Sequence, residues 1–242
     1  MDCMPMREII CRMNKHTPNT ESYFWVSLSL MLVSNVVTFQ GSHLLTKNLH
    51  HFSLALPVDS ALPFIPWTIS IYFGCFLFWF AMYRLIARLP RERADRFFCA
   101  NFLGKSVCLF IFLLFPTAIG RPEVNGMTAW DSFMRFLYWI DPGDNIFPSL
   151  HCMIAWLCWV GVRGNKQVPL LWRIMTLIMA ILVCLSTLTT RQHVLLDVFG
   201  GILLSEFCYC LSDLPMLHKS YTRLIDWLIN HLFSIRTRCF HE

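Results

Sequence analysis

Two short stretches, FPSLH at residues 147–151 and TRQHVLLD at residues 190–197, bracket two long apolar segments. Ionisable groups at the ends of apolar helices cost free energy unless they are paired or used. Both stretches carry such groups, including His151, His193 and Asp197. They therefore predict a functional site built where membrane helices end.

Composition places the chain among membrane proteins. Of its 242 residues, 56% are apolar and 14% are charged, and the mean hydropathy is +0.51. The net charge of +5 does not indicate a nucleic acid partner, because the basic residues are spread over loops and form no single stripe. Most of the eleven cysteines lie inside apolar runs, so we expect neither disulfides nor a zinc site.

Six apolar runs of near-spanning length predict an all-α, polytopic membrane protein with six transmembrane helices. The runs are 23–41, 62–83, 98–119, 149–162, 170–188 and 194–212. The fourth is short, and its start is set by Pro148 and by Ser149, a good N-cap. We expect an N-terminal segment (1–22) without a cleaved signal peptide, a catalytic membrane domain (23–213) and a C-terminal segment (214–242).

The distribution of Lys and Arg predicts the orientation, since cytoplasmic loops carry the excess. With both termini in the cytoplasm, 15 of the 20 basic residues fall on the cytoplasmic side, four fall outside and Lys105 lies within a span. Both histidine stretches then face the extracytoplasmic side. Snorkelling to the nearby cytoplasmic surface is the simplest interpretation of Lys105, with a role in the substrate path as the alternative.

Two amphipathic helices are predicted outside the spans. The first has an apolar face of Trp130, Phe133, Met134 and Leu137, and we expect it in the outer interface. The second has an apolar stripe of Leu224, Trp227, Leu228 and Leu232 beside Arg223, Arg236 and Arg238, and we expect it on the cytoplasmic leaflet. Packing against the bundle is the alternative for both.

His193 and Asp197 are four residues apart at the opening of a helix, so the carboxylate can bind one ring nitrogen and leave the other as a nucleophile or base. Arg191 can hold an anion beside them, and helix N-termini attract anions. His151 lies two residues after the N-cap Ser149, in the same kind of position. Two histidines, an arginine and two helix N-termini together predict an anion site.

The two histidine stretches resemble motifs of a known family. The two stretches look like the second and third signature motifs of the type 2 phosphatidate phosphatase superfamily, which includes vanadium haloperoxidases and bacterial acid phosphatases. Arg121-Pro122 resembles part of the first motif, whose Lys position is occupied here by Leu114. Leu150 and Thr187 also depart from the commonest pattern. The Pro-Ser-Leu-His form is similar to the inositol phosphorylceramide synthase branch.

The resemblance implies a haloperoxidase-like helical core and a phosphohistidine mechanism without metal or cofactor. His193, oriented by Asp197, would be the nucleophile and His151 the acid. Arg121, Arg191 and Ser149 would bind the phosphate oxygens.

The residues and the resemblance together leave three functions open. The first is hydrolysis of a phosphate monoester or pyrophosphate of a phospholipid or isoprenoid phosphate. The second is transfer of a phospho-headgroup between lipids, and the third is a lipid transporter or binding protein. Asp144 and Asn145 are possible headgroup contacts, although Asp-Pro-Gly-Asp at 141–144 is first of all a turn. His43, His50 and His51 are expected in a solvated outer loop, since no other ligand type is suitably spaced to complete a metal site.

Overall fold

The computed structural model describes residues 20–238, and these form an all-α fold. The helices are α1 Thr20–Val36, α2 Ser42–Thr46, α3 Pro57–Ala61, α4 Ile69–Ile86, α5 Arg91–Leu114, α6 Ala129–Ile140, α7 Leu150–Arg163, α8 Leu170–Thr189, α9 Leu195–Leu211 and α10 Pro215–Arg238. A π-helical turn, Val37–Gly41, joins α1 to α2, and a 3₁₀ turn, Pro66–Thr68, precedes α4. Most of the predicted N-terminal segment lies outside the described residues.

Four helical stretches of the described chain are long and apolar enough to cross a membrane: Thr20–Thr46, Pro66–Ile86, Arg91–Leu114 and Leu170–Thr189. The pair α9 and α10 makes a fifth if it is counted as one span, although the two helices meet at 89°. The apolar helix α7 has only 14 residues. The all-α polytopic class is confirmed, and the number six stays a prediction.

The short helix α7 lies at the centre of the bundle, in contact with α4, α5, α8 and α9. Its side chains are buried along its length, for example Met153, Leu157 and Val160. At its N-terminal end it lies very close to α9, because a Cβ atom built on Gly201 would be 2.6 Å from the Ser149 carbonyl oxygen. A glycine is required at this crossing, which sets how near the two histidine stretches approach each other.

The C-terminal helix α10 packs on α1 and α5 through a stripe different from the predicted one. Tyr221, Ile225 and Ile229 are buried. In the predicted stripe Trp227 is exposed and Leu228 is partly buried, and Leu224 and Leu232 are exposed as well. The reason is that α10 has two apolar faces, one of which contacts the bundle.

The predicted face of α6 is also divided. Met134 and Leu137 are buried beside Ile69 and Tyr72 of α4, whereas Trp130 and Phe133 are exposed. A capping box starts the helix, since Asp131 N donates to Thr128 Oγ1 (3.2 Å) and Thr128 N donates to an Asp131 carboxylate oxygen (2.9 Å). The hydroxyl and main-chain hydrogen bonds from Thr128 lower the pKa of Asp131.

Lys105 does not snorkel. Its side chain is only 2% exposed, and Nζ donates to the Met31 carbonyl oxygen of α1 across 2.8 Å. The Lys105 carbonyl oxygen in turn accepts from Thr38 Oγ1 (3.2 Å), in the π-helical turn that follows α1. The lysine fastens α5 to α1, so the expectation that it reaches the cytoplasmic surface was wrong.

Polar side chains gather at opposite ends of the bundle. At one end Arg91, where α5 begins, binds Asp95 (2.9 Å) and Asp226 of α10 (2.8 Å). At the other end lie Arg121 after α5, His151 at the start of α7 and His193 before α9. The basic loops and the two histidine stretches therefore occupy different ends of the molecule.

Candidate active site

His193 lies in the loop between α8 and α9, two residues before the first residue of α9. Its Nδ1 is 3.3 Å from Asp197 Oδ2, and the same oxygen accepts a hydrogen bond from Val194 N (2.9 Å). The Thr187 carbonyl oxygen accepts from the main-chain N–H groups of Gln192 (3.0 Å) and His193 (3.1 Å), which fixes the loop. The predicted pairing of His193 with Asp197 is therefore present, with the histidine outside the helix.

The environment of His193 favours its protonated form. Burial alone lowers the pKa of the imidazole, but the hydrogen bond to Asp197 and the negative charge of that carboxylate outweigh it. The net effect raises the pKa of His193. A proton held on Nδ1 by Asp197 leaves Nε2 with a free electron pair once the ring is neutral.

His151 is the second residue of α7 and faces His193, with 6.1 Å between the ring centroids. The rings of Tyr72 (4.4 Å) and Trp79 (5.5 Å) of α4 flank it. Its Nε2 is shielded and has no hydrogen-bond partner among the described residues. This nitrogen is therefore available to a ligand between the two histidines.

Ser149 starts α7 as predicted, because its Oγ accepts a hydrogen bond from Cys152 N (3.3 Å). Its main-chain N–H donates to the Asp197 carbonyl oxygen (3.0 Å), and its side chain is fully buried. The residue does not line the cavity described below. Its contacts join the His151 helix to the Asp197 helix.

Arg121 lies beside the His193 loop. Its Nη2 donates to Gln192 Oε1 (2.5 Å) and to Asp141 Oδ1 (3.0 Å), and Nη1 donates to the Asp141 carbonyl oxygen. The guanidinium carbon is 4.7 Å from the centre of the Tyr138 ring. The predicted phosphate ligand is thus next to His193, and Gln192 links the two.

Arg191 is placed elsewhere. Its two terminal nitrogens donate to the carbonyl oxygens of Asp59 and Leu62, and its backbone has a φ of 54°. The side chain reaches the segment around α3 and clamps the His193 loop to it. The predicted role of Arg191 in binding phosphate stays a prediction.

Asp144 and Asn145 are both buried near the histidines. Asp144 Oδ2 is 2.6 Å from His43 Nδ1, and His51 Nε2 is 3.9 Å from the same oxygen. Asn145 Nδ2 donates to Thr46 Oγ1 (2.8 Å). His43 and His51 are therefore partly buried partners of Asp144, and the expectation of a solvated histidine loop was wrong for these two.

A cavity of about 260 Å³ is lined by both histidines and by Asp144 and Asn145, but not by Arg121 or Arg191. Its polar wall includes His151, Gln192, His193, Asp141, Asp144, Asn145, Asn35 and Gln40. Its apolar wall is formed mainly by aromatic rings of α4 and by residues of the π-helical turn, α5 and α6: Phe39, Tyr72, Phe73, Phe76, Trp79, Phe112, Leu137 and Ile140. A phosphate group next to an apolar chain would fit such a combination.

Three positions depart from the motif pattern described in the sequence, and the structure shows where each one lies. Leu114 is 67% exposed and points away from the cavity, while Thr187 is fully buried behind the His193 loop. Leu150 lines the cavity next to His151. Of the two predicted arginine ligands, Arg121 is the one whose side chain binds Gln192, the residue directly before His193.

Comparison with known families agrees with these residues. Residues 123–213 match the PAP2 superfamily. The PAP2 match contains both histidine stretches and Asp197, and it ends just after α9. It supports a phosphatase-type enzyme acting on phosphate-containing substrates. No curated protein matches the chain.

Several residues of the site were missed in the sequence, and three of them, Asp59, Tyr72 and Trp79, precede the PAP2 match. Tyr72 and Trp79 look like ordinary apolar residues of a span, and no periodicity distinguishes them. Asp59 accepts a hydrogen bond from Leu195 N at the start of α9 (2.9 Å), which links residues 136 positions apart. Gln192 was visible only as a neighbour of His193, because its contact with Arg121 depends on the fold.

Proposed function

We propose that the chain is an integral membrane lipid phosphate phosphatase that cleaves a phosphate monoester or pyrophosphate through a phosphohistidine. The main support is the placement of His193, paired with Asp197, opposite His151 across the polar end of the cavity. The PAP2 match supports the phosphatase class. The mechanism and the lipid substrate are our inference.

In the first step His193 Nε2 attacks phosphorus, and the bond from phosphorus to the leaving oxygen breaks. His151 donates its proton to that oxygen, so the alcohol or phosphate leaves in a protonated form. Asp197 holds the Nδ1 proton of His193 and stabilises the positive charge that the ring acquires. The 6.1 Å separation of the rings leaves room for a phosphorus centre between them.

Charge on the equatorial oxygens would be stabilised by Gln192 Nε2 and by the positive charge of Arg121, which binds Gln192 Oε1 and does not itself line the cavity. The Gln192 amide nitrogen is shielded and unpaired among the described residues. The N-terminus of α7 adds its partial positive charge. We give Ser149 and Arg191 positioning roles, since Ser149 caps α7 and Arg191 binds carbonyl groups of the segment around α3.

In the second step water attacks the phosphohistidine. His151, now neutral, takes the proton from the water molecule, and the bond between phosphorus and His193 breaks. The enzyme returns to its starting protonation state, and inorganic phosphate is released. The scheme requires no metal ion or cofactor.

The lipid portion would occupy the aromatic wall of the cavity, next to Phe73, Phe76 and Phe112. We further propose that the active site faces the extracytoplasmic side and that both termini are cytoplasmic. Separation of the basic loops from the histidine end supports this orientation, because positive residues remain on the cytoplasmic side.

Transfer of a phospho-headgroup to a second lipid is the alternative, with an alcohol in place of water in the second step. Shielded oxygen atoms without partners on the polar wall favour it, as they suit a hydroxylated group. A lipid transporter with the same anion site remains the alternative of another class.

A lipid panel analysed by mass spectrometry tests these functions together. Phosphate released from phosphatidate or an isoprenoid diphosphate supports hydrolysis, whereas a product formed only with a diester donor and an acceptor supports transfer. Phosphate release that persists in His193→Ala would rule out the assigned nucleophile. Inactivity of the intact protein on every lipid would favour transport.

A further inference from the structure

Three shielded oxygen atoms belong to residues of the polar wall and have no hydrogen-bond partner among the described residues. They are Asn35 Oδ1, Asp144 Oδ1 and Asn145 Oδ1. A buried acceptor without a partner destabilises the fold, so a group of three in one cavity requires an explanation. All three can accept hydrogen bonds and none can donate one.

The orientation of the Asn145 amide is fixed by its neighbours. Thr46 donates its hydroxyl proton to the Ser42 carbonyl oxygen (2.9 Å), and Ser42 donates its own to the Thr38 carbonyl oxygen (2.5 Å). Both hydroxyl oxygens can then only accept, so Asn145 must present its NH₂ group to them. Its oxygen is therefore the atom left without a partner.

Asp144 has one oxygen in use and one without a partner. Oδ2 binds His43 Nδ1 at 2.6 Å, which places a positive or donor group beside the carboxylate. Oδ1 is left to accept from a ligand. Because His43 already contacts the other oxygen of this carboxylate, Oδ1 is left to accept a hydrogen bond from a neutral hydroxyl.

The third acceptor comes from the last turn of α1. Asn35 lies two residues before the π-helical turn Val37–Gly41, and Phe39 and Gln40 of that turn also line the cavity. Single π-helical turns inside α-helices often occur at functional sites. The end of α1 and the turn that follows it therefore form one wall of the cavity.

The histidine side of the same cavity presents hydrogen-bond donors, whereas the side just described presents acceptors. Gln192 Nε2 is a shielded donor without a partner, and His151 Nε2 is unpaired as well. Donors on one side suit phosphate oxygens, and acceptors on the other side suit hydroxyl hydrogens. We propose that Asn35, Asp144 and Asn145 form a subsite for a neutral, hydroxylated alcohol that is attached to the phosphate.

This subsite rests on the proposed function, because the phosphate is assigned to the histidine side. It can be tested by binding without turnover, using the full chain in detergent with His193→Gln. Isothermal titration would compare sn-glycerol 3-phosphate, O-phosphoethanolamine and inorganic phosphate. We expect glycerol phosphate to bind about tenfold more tightly than inorganic phosphate, equivalent to about 1.4 kcal/mol.

Matched variants assign that preference to the subsite. Asn35→Leu should bring the two affinities together, whereas Asn35→Asp keeps an acceptor and should keep the ratio. Asn48→Leu makes the same change at an exposed position and should have no effect. The ratio of affinities is independent of how much of each variant is folded.

Equal affinities for glycerol phosphate and inorganic phosphate would overturn the subsite. So would no measurable binding of glycerol phosphate, tighter binding of phosphoethanolamine, or a preference that Asn35→Leu leaves intact. Phosphate release by the wild-type chain is measured separately. Release without the preference refutes only the subsite, and the preference without release refutes only the proposed function.

Discussion

Arg121 Nη2 and Gln192 Oε1 are joined by a hydrogen bond of 2.5 Å, although 71 positions separate the residues. The bond connects the segment after α5 to the residue directly before His193. Because the oxygen of Gln192 faces Arg121, the amide nitrogen is left for a ligand. One contact thus orders two donors of the proposed phosphate site.

The two arginines should therefore respond differently to the same change. We expect Arg121→Gln to lower kcat/KM about 10²-fold to 10³-fold, because a donor to the developing charge is lost. Arg191→Gln should mainly reduce stability, by about 1–3 kcal/mol, because carbonyl groups lose their donors. Lipid phosphate release and thermal unfolding in detergent measure the two effects, and the opposite pattern would return Arg191 to the phosphate site.

The rate of His151→Ala should show how strongly bond breaking depends on protonation of the leaving oxygen. We expect a loss of about 10²-fold to 10⁴-fold with a lipid phosphate, and a much smaller loss with p-nitrophenyl phosphate, whose leaving group needs little help. When the substrate carries radioactive phosphate, the label should remain bound to this variant, because the base for the second step is missing. Equal losses with both substrates would argue against His151 as the acid.

The pH profile should respond to Asp197. Attack requires neutral His193, and its raised pKa places the acidic limb of the rate profile above the ordinary histidine value of about 6.5. Asp197→Asn removes the charge that favours the imidazolium, so the pKa falls and the limb should move to lower pH, with a lower maximal rate. A limb that stays in place would assign it to another group.

Orthovanadate should inhibit competitively, since its five-coordinate form resembles the phosphorus centre between His193 and His151. EDTA should have no effect on the rate, because the scheme uses no metal ion. Steady-state assays with both reagents check this. Strict dependence on added magnesium would contradict the phosphohistidine scheme.

The exposed side of α6 should increase the rate at which the protein acts on lipid in a membrane. Trp139 is 80% exposed, next to Ile140 at the cavity wall. We expect Trp139→Ser to reduce the rate severalfold on lipid in vesicles and to leave p-nitrophenyl phosphate hydrolysis unchanged. Trp172→Ser, also at an exposed position, is the control, and an equal effect of both substitutions would remove the special role of α6.

The sequence predicted the all-α, polytopic membrane class, because long apolar runs leave few alternatives for such a chain. It also predicted the pairing of His193 with Asp197, because residues separated by four positions at the start of a helix lie close together whatever the rest of the fold. The direction of Arg191 could not be predicted, because it depends on a left-handed backbone and on carbonyl groups more than 120 positions away. Lys105 was misjudged for a related reason, as its partner Met31 belongs to another helix.

The aromatic wall of the cavity has a consequence for how such enzymes diverge. His151, His193 and Asp197 come from the matched region, whereas Asn35, Tyr72 and the other residues of α1 and α4 precede it. Part of the proposed substrate wall is thus encoded outside the matched region, while Asp144 and Asn145 of the proposed subsite lie within it. Exchanging the first four helices between two such proteins should change substrate preference while the bond-breaking residues stay the same.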